Sequence, residues 1–228
     1  MQLLKSHENN SIDLPIYNSL YTTPSPTKYL LLVQYIYMGA GILPTTIHNN
    51  KLYFLFGKEN KYADTPGWSD IGGGTDNDET FMQTAMREGA EELTGFLGME
   101  NDIKKLLTQY GTYNIDWGSP SGKTYRMHIF PMAFDPMLPV YYNNNHKFIE
   151  RKLSTNMIKN SKIFEKDEIR WVCIDDIPKM RKKFRSYFQT KADMILDQRT
   201  KIDEFIRDAL RVKKGTKNKT RKNKRKGG

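Results

Sequence analysis

The sequence predicts an α+β fold, because stretches with strand character alternate with stretches that have the period of α-helices. Residues 39–47 and 51–57 are rich in apolar, aromatic and β-branched side chains, and the residues His-Asn-Asn between them are typical of a hairpin turn. Residues 168–174 have the same strand character. Between these strands, residues 81–93 have the pattern of an amphipathic helix that carries three closely spaced glutamates.

A capping box marks the start of this helix. The hydroxyl of Thr80 can accept a hydrogen bond from the backbone N–H of Gln83, and the Gln83 side chain can reach back, so the helix is predicted to begin at Phe81. Its apolar face should pack on a sheet and consists of Met82, Ala85, Met86, Gly89 and Leu93. Gly89 costs such a helix about 1 kcal/mol relative to alanine, and a close helix–sheet contact would explain its presence.

The three glutamates of the helix are Glu88, Glu91 and Glu92, at positions i, i+3 and i+4. This spacing predicts that their carboxylates share a face, where like charges destabilise the helix. A hard divalent cation bound by carboxylate oxygens would reverse this repulsion. The alternative is an ordinary solvated acidic face. The glycines 72–74, at a fixed spacing upstream, favour the cation. A glycine loop also lets backbone N–H groups approach a ligand.

The spacing of the charged residues resembles the Nudix box, G-x5-E-x7-R-E-U-x-E-E-x-G-U, in which U is a bulky aliphatic residue. Gly73 is followed after five residues by Glu79, after seven more by Arg87-Glu88, and after two more by Glu91-Glu92. Every charged position of the box is therefore filled.

Two positions depart from the box. Gly89 replaces an aliphatic residue, and Gly95 comes one residue late, which affects the exit loop and not the charged cluster. The approach 68–73 and the closing segment 169–178 also look like that family. Over about residues 30–190 the order of elements resembles the Nudix fold, which implies an α/β/α sandwich with a mixed sheet.

The resemblance implies an enzyme that hydrolyses a pyrophosphate bond in a substrate where a nucleoside diphosphate is linked to another group. The implied cofactor is Mg2+ (or Mn2+). Its implied ligands are Glu88, Glu91, Glu92 and the backbone at Gly73. The glycines that would approach the substrate are Gly72, Gly73 and Gly74. Arg87 and Glu79 resemble the family's structural ion pair, which orients a catalytic carboxylate; the alternative is a surface salt bridge worth under about 1 kcal/mol.

Many Nudix enzymes use one more carboxylate from a later segment, as a metal ligand or a general base. Glu165 and Glu168 are the candidates, Asp167 is a weaker third, and the sequence does not choose between them. Each has the alternative of being a solvated loop acid.

Aromatic side chains near the box are candidates for stacking on a base. Trp68 is the one assigned to substrate binding, and the others are Tyr110, Tyr113, Trp117 and Tyr125. Aromatic residues in strands more often belong to the core.

The other predicted elements follow the box along the chain. They are a short helix at 100–107, strands at 110–115 and 125–134, an insertion at 135–160, and helices near 178–189 and 192–211. The resulting organisation is a polar N-terminal extension at 1–28, the Nudix hydrolase domain at 29–190, a C-terminal helix at 191–212 and a disordered basic tail at 213–228.

Composition points to an intracellular protein. Cys173 is the single cysteine, which indicates a reducing compartment, and the N-terminus lacks the pattern of a signal peptide. Residues 29–44 are apolar but too short for a membrane span, so no membrane partner is predicted. The expected location is the cytoplasm, with the nucleus possible because of the basic tail.

The positive charge of the chain is concentrated at its C-terminus. Residues 211–226 hold ten Lys and Arg and no acidic residue, while the remaining 26 Lys and Arg balance 26 Asp and Glu. Such a tail can contact phosphates without reading sequence, which makes an RNA 5′ cap an attractive substrate by analogy with mRNA-decapping Nudix enzymes. The alternative function is a non-catalytic Nudix-fold RNA-binding module.

Overall fold

A mixed β-sheet organises the chain in the computed structural model, which describes residues 38–76, 78–160 and 165–224, the last thirteen as helical backbone only. Its strands are β1 (Met38–His48), β2 (Lys51–Glu59), β3 (Trp68–Ser69), β4 (Ile71–Gly74), β5 (Tyr113–Gly118), β6 (Thr124–Pro131) and β7 (Lys166–Cys173). The order is β3-β2-β1-β6-β5, with β4 paired to β1 and β7 paired to β2. Only β1 and β6 pair in parallel among these strands. The predicted extension 1–28, and residues 29–37 and 225–228, lie outside the described residues.

The predicted hairpin is confirmed. Strands β1 and β2 pair down to His48 and Lys51, which leaves a two-residue loop of Asn49 and Asn50. Both asparagines have positive φ, 48° and 61°. A two-residue loop with positive φ at both positions matches the twist of the flanking strands, and asparagine tolerates this backbone better than most residues.

Helices cover both faces of the sheet, which confirms the predicted sandwich. They are α1 (Phe81–Glu92), α2 (Glu100–Gln109), α3 (Met137–Glu150), α4 (Thr155–Asn160), α5 (Ile177–Met180), α6 (Gln189–Asp197) and α7 (Arg199–Lys224). On one face, α1, α2 and α3 bury a core around Ile42 and Leu55. On the other face, α6 and α7 pack on Phe54 and Phe56.

Helix α1 begins where the sequence predicts and is held by the predicted capping box. The Thr80 hydroxyl accepts from the Gln83 N–H at 3.3 Å, and the Gln83 side chain accepts from the Thr80 N–H at 2.9 Å. Gly89 faces the sheet so closely that a Cβ atom there would lie 2.7 Å from Cδ1 of Ile42. The helix–sheet contact therefore accounts for the glycine that stands in place of an aliphatic residue.

The segment predicted as an insertion forms helices α3 and α4, and α3 is part of the core layer. Tyr142 is buried, and its hydroxyl lies 3.1 Å from the carbonyl oxygen of Glu92 and 2.9 Å from that of Lys166. Asn143 exchanges two hydrogen bonds with the backbone of Ile169. Helix α3 thus ties the end of α1 to strand β7.

The helix predicted near 178–189 is interrupted. In its place lie α5 and two 3-10 turns, Arg181–Lys183 and Ser186–Phe188. Between the turns, Phe184 is extended and bridges to Trp68, and the Arg185 N–H donates to the Trp68 carbonyl at 3.0 Å. Burying Phe184 and Phe188 against the sheet outweighs continuation of the helix.

Helix α7 continues to Lys224, over most of the segment for which composition predicts disorder. Lysine and arginine are good helix formers, and extending an existing helix costs less than nucleating one. The backbone of α7 therefore remains helical in the basic segment.

The Gly89 contact predicts a coupling that unfolding experiments can measure. Gly89→Ala gains about 1 kcal/mol of helix propensity but meets Cδ1 of Ile42, and overpacking typically costs about 1–3 kcal/mol. In the Ile42→Val background the clashing methyl is absent, so Gly89→Ala should become stabilising. Urea denaturation of the four proteins checks this. Equal effects of Gly89→Ala in both backgrounds would contradict the proposed contact.

Candidate active site

Helix α1 turns two of its three glutamates inward. Glu88 and Glu92 are one turn apart and only 8% and 3% exposed. Glu91 is displaced by about 60° around the helix from Glu88, and its side chain is 44% exposed. Glu91 therefore lies at the solvent side of the acidic face, while the sheet buries the i and i+4 pair.

A third carboxylate comes from the chain just before β7. Oxygen atoms of Glu88, Glu92 and Glu165 all lie within 4.8 Å of one another. Glu168, the other candidate, lies within β7, where its carboxylate is 2.5 Å from the guanidinium of Arg170. The geometry thus separates two acids that the sequence leaves equivalent.

Arg87 and Glu79 form the predicted pair. The Nε and Nη2 atoms of Arg87 donate to the two oxygens of Glu79 at 2.9 and 3.0 Å. These hydrogen bonds are the main reason why the pKa of Glu79 falls to about 2. Arg87 also contacts Glu88 at 2.8 Å and Glu91 at 3.2 Å. Its guanidinium therefore links Glu79, Glu88 and Glu91.

The glycines of β4 let the strand approach the carboxylates directly. The Gly72 N–H donates to Oε2 of Glu92 at 2.7 Å. At Gly73, a Cβ atom would lie 2.5 Å from Oε1 of Glu88, so any side chain there would displace this carboxylate. Gly74 supplies a carbonyl that accepts from Arg87 at 2.9 Å.

A buried lysine that sequence reasoning missed balances part of this negative charge. The Nζ atom of Lys166 lies 3.0 Å from Oε1 of Glu92 and also contacts Glu59, which Arg185 contacts as well. Lys166 is fully buried. In the sequence it is one lysine at the start of a strand, and no local signal shows that it faces inward.

The environment of Glu88 and Glu92 is suited to a divalent cation. Burial raises the pKa of both carboxyl groups above the usual range, although Arg87 opposes this at Glu88 and Lys166 opposes it at Glu92. Acids that are crowded and desolvated in this way gain from a hard cation, whose preferred ligands are carboxylate oxygens. Glu88, Glu92 and Glu165 are the residues that fit it.

The acidic cluster forms one end of a cleft of about 420 Å3. The same cleft is lined by Glu59, which is paired with Arg185, and by a group of basic and aromatic side chains that we call its aromatic end. This group consists of Trp117, Lys123, Tyr125, Arg185, Tyr187 and Lys191. Trp68 does not line this cleft. It is 5% exposed in the core, with the Arg170 guanidinium 5.0 Å from its ring. Trp117 and Tyr125, two of the predicted alternatives, lie in the cleft instead.

The residues that sequence reasoning missed at the cleft come from the segment after β7. Arg185 and Tyr187 lie where a regular helix is predicted, and the extended bridge at Phe184 places this segment at the sheet edge. Lys191 follows at the start of α6. A helical period gives no indication of this approach.

The sandwich thus carries a site built from carboxylates, where a glycine strand meets a helix that contains an Arg-Glu pair. The family model of the NUDIX domain matches residues 38–191, and the chain belongs to this family. The match confirms the predicted resemblance and the enzyme class, a Nudix pyrophosphohydrolase. No curated protein sequence matches the chain.

Three solved structures illustrate what the chain is similar to. A Nudix hydrolase from M. smegmatis, RenU, shares 18% identity over 74% of this chain and 89% of its own, with a TM-score of 0.45. A C. elegans Ap4A hydrolase binary complex shares 14% identity over 77% and 98%, with a TM-score of 0.41. A bifunctional NMN adenylyltransferase/ADP ribose pyrophosphatase from Francisella tularensis shares 15% over 75% and 44%, with a TM-score of 0.48.

Within residues 38–76, 78–160 and 165–224, no helix combines the length and the apolar character needed to cross a bilayer.

The two later acids provide a matched test of the site. Glu165→Gln should lower kcat by about 10²-fold or more, because it removes a charge from the carboxylate cluster. A loss of this size is expected when a general base is removed. Glu168→Gln removes the same charge three residues away and should change kcat less than about threefold. Steady-state kinetics of both variants check this. A silent Glu165→Gln, or a large loss in Glu168→Gln, would show that the cluster is wrongly assigned.

Proposed function

We propose that the protein hydrolyses a pyrophosphate bond in a substrate that links a nucleoside diphosphate to a further group, with Mg2+ (or Mn2+) as cofactor. The observation that carries this proposal is the mixed lining of the cleft, which brings three clustered carboxylates together with cations and aromatic rings. A pyrophosphate is repelled by carboxylates alone, so the acidic end needs a cation to receive it.

Glu88, Glu92 and Glu165 would hold this cation. When bound, it neutralises phosphate charge and makes a coordinated water more acidic. The residues around it fix its ligands. Arg87 keeps Glu88 in place at 2.8 Å, and the Gly72 N–H and Lys166 keep Glu92 in place at 2.7 and 3.0 Å. Such fixed partners reduce the reorganisation that the reaction requires.

In the hydrolysis, a water oxygen forms a bond to phosphorus as the bridging P–O bond breaks. The water loses a proton, and we assign its acceptance to Glu165. Glu165 is the least buried member of the cluster and is therefore the one most accessible to solvent. The broken bond leaves two phosphate products, which depart through the cleft.

The aromatic end favours a nucleoside as one part of the substrate. Trp117, Tyr125 and Tyr187 present ring surface there, and stacking of a base on aromatic side chains is worth about 1–3 kcal/mol per base. A nucleoside diphosphate would thus place the phosphate to be attacked beside the carboxylates and its nucleoside against ring surface that Lys191 leaves open.

An RNA 5′ cap is the substrate that we propose within this class. It contains pyrophosphate bonds next to a nucleoside, and it continues into a polyanion. The ten Lys and Arg of residues 211–226 supply a basic segment that can contact such a polyanion. The competing function is RNA binding without catalysis. The buried carboxylates favour hydrolysis, because desolvating Glu88 and Glu92 is unfavourable and serves no purpose in binding RNA.

A substrate panel tests the proposed reaction. The purified chain should hydrolyse capped RNA in Mg2+ and lose this activity in EDTA. Dinucleoside polyphosphates, ADP-ribose, nucleoside triphosphates and diphosphoinositol phosphates serve as competing substrates, and product chromatography gives the position of cleavage. Glu88→Gln is the control that removes one cluster charge, and it should be inactive on every substrate. RNA binding without hydrolysis of any compound would support the non-catalytic function instead.

The basic segment predicts salt-dependent RNA binding. Deleting residues 213–228 should weaken the affinity for capped RNA and flatten its dependence on salt, because fewer counterions are released. Hydrolysis of a small nucleotide should stay nearly unchanged, since the cleft lies elsewhere in the chain. A full-length variant with glutamine at the Lys and Arg positions of this segment separates charge from length. If affinity and its dependence on salt are unchanged in both variants, the basic segment does not bind RNA. The proposal of a cap substrate would then lose its main support.

A further inference from the structure

A second buried lysine, Lys191, lies at the aromatic end of the cleft, and the hydrolysis proposed above does not use it. It is the third residue of α6, it is 3% exposed, and it lines the cleft. A cation in the first turn of a helix is disfavoured by the helix dipole. Its position is therefore unfavourable both for burial and for the helix.

Aromatic rings surround the ammonium group of Lys191. Its Nζ atom lies 4.2 Å from the ring centroid of Tyr125, 4.7 Å from that of Tyr187, 4.9 Å from that of Trp117 and 5.9 Å from that of Phe188. These rings attract the charge but accept no ordinary hydrogen bond.

No acidic partner holds this lysine in the described part of the chain, where no carboxylate oxygen lies within 4.0 Å of its Nζ atom. Asp70 is the carboxylate that attracts it from a distance, and an oxygen of Asp70 is already engaged by the Tyr125 hydroxyl at 2.9 Å. Lys191 differs in this from Lys166, which contacts two carboxylates. The three N–H donors of Lys191 are therefore left for a ligand.

A purely structural role would be served better by an apolar side chain. Burying an ammonium without a hydrogen-bonded partner is costly, and its burial lowers the pKa of Lys191. Methionine would fill the same space among the rings without that cost. An anion that enters the cleft can accept hydrogen bonds from the ammonium group and offset the cost that the rings leave.

We propose that Lys191 binds a phosphate group of the substrate that is not the one attacked. The role of Lys191 in catalysis rests on the proposed function. The proposal adds that the substrate carries an anionic group at the aromatic end of the cleft. A phosphate fits because it offers several acceptor oxygens. Lys123 also lines the cleft, whereas the guanidinium of Arg185 is engaged by Glu59 and Thr65. A neutral sugar there could accept hydrogen bonds from the ammonium group but would leave its positive charge unbalanced.

The test isolates this phosphate site from the metal cluster. In EDTA, the carboxylates of Glu88, Glu92 and Glu165 have no cation and repel phosphates. Inorganic pyrophosphate should therefore bind only at the aromatic end of the cleft. Calorimetry on the full-length chain should detect this binding. Lys191→Met should weaken it by about tenfold to a hundredfold, the loss expected for a charge-assisted hydrogen bond. Lys191→Arg, which keeps the charge, should stay within about threefold of the wild type.

Two controls make the result specific. Lys104→Met removes the same charge from an exposed position on α2 and should leave pyrophosphate binding unchanged. Lys191→Gln is a second neutral variant, and circular dichroism establishes that each variant is folded. Wild-type affinity in Lys191→Met or Lys191→Gln, or no pyrophosphate binding by the wild-type chain in EDTA, would overturn the proposal.

Kinetics separate this inference from the proposed reaction. On any substrate that the wild type hydrolyses, Lys191→Met should raise KM and leave kcat within about threefold, because the lost contact is made equally in the ground state and the transition state. A fall in kcat with unchanged KM would contradict the binding role. If no substrate is hydrolysed, the proposed reaction fails, while the pyrophosphate titration in EDTA still decides the role of Lys191.

Discussion

The contact between α1 and the glycine strand β4 is the constraint on which the site depends. It places two buried carboxylates, Glu88 and Glu92, directly against the backbone of Gly72 and Gly73. Buried charges are tolerated only when they are paired and hydrogen-bonded. Arg87 on one side and Lys166 on the other supply that pairing, so the strand, the helix and β7 are fixed relative to one another by electrostatics as well as by packing.

Local signals predicted the elements that depend on a few neighbouring residues. The capping box fixed the start of α1, the asparagine pair agreed with the hairpin, and the spacing of the box led to the family. Gly89 could be explained in advance as a close contact, although its partner, Ile42, could not be named, because strand pairing decides which residue lies beneath a helix.

Long-range geometry decided what the sequence left open. Glu165 and Glu168 look equivalent along the chain, but only the residue just before β7 reaches α1. Glu91 has the helix spacing of the box, but its side chain is exposed and is not buried against the sheet. Trp68 is an aromatic residue that could bind a base, but it is buried in the core. Tyr187 lines the cleft because the helix predicted there is interrupted, and Lys191 lines it from the start of α6. None of these outcomes has a signal within a short window of sequence.

The ring cluster around Lys191 also restricts the charge of the groups that can approach it. Aromatic cages commonly gain affinity from a ligand that brings its own positive charge. Here the charge is already inside, at 4.2 Å from the ring centroid of Tyr125. A second cation would meet a like charge where it needs an electron-rich face. The electrostatics of these rings therefore favour an anionic group over a cationic one.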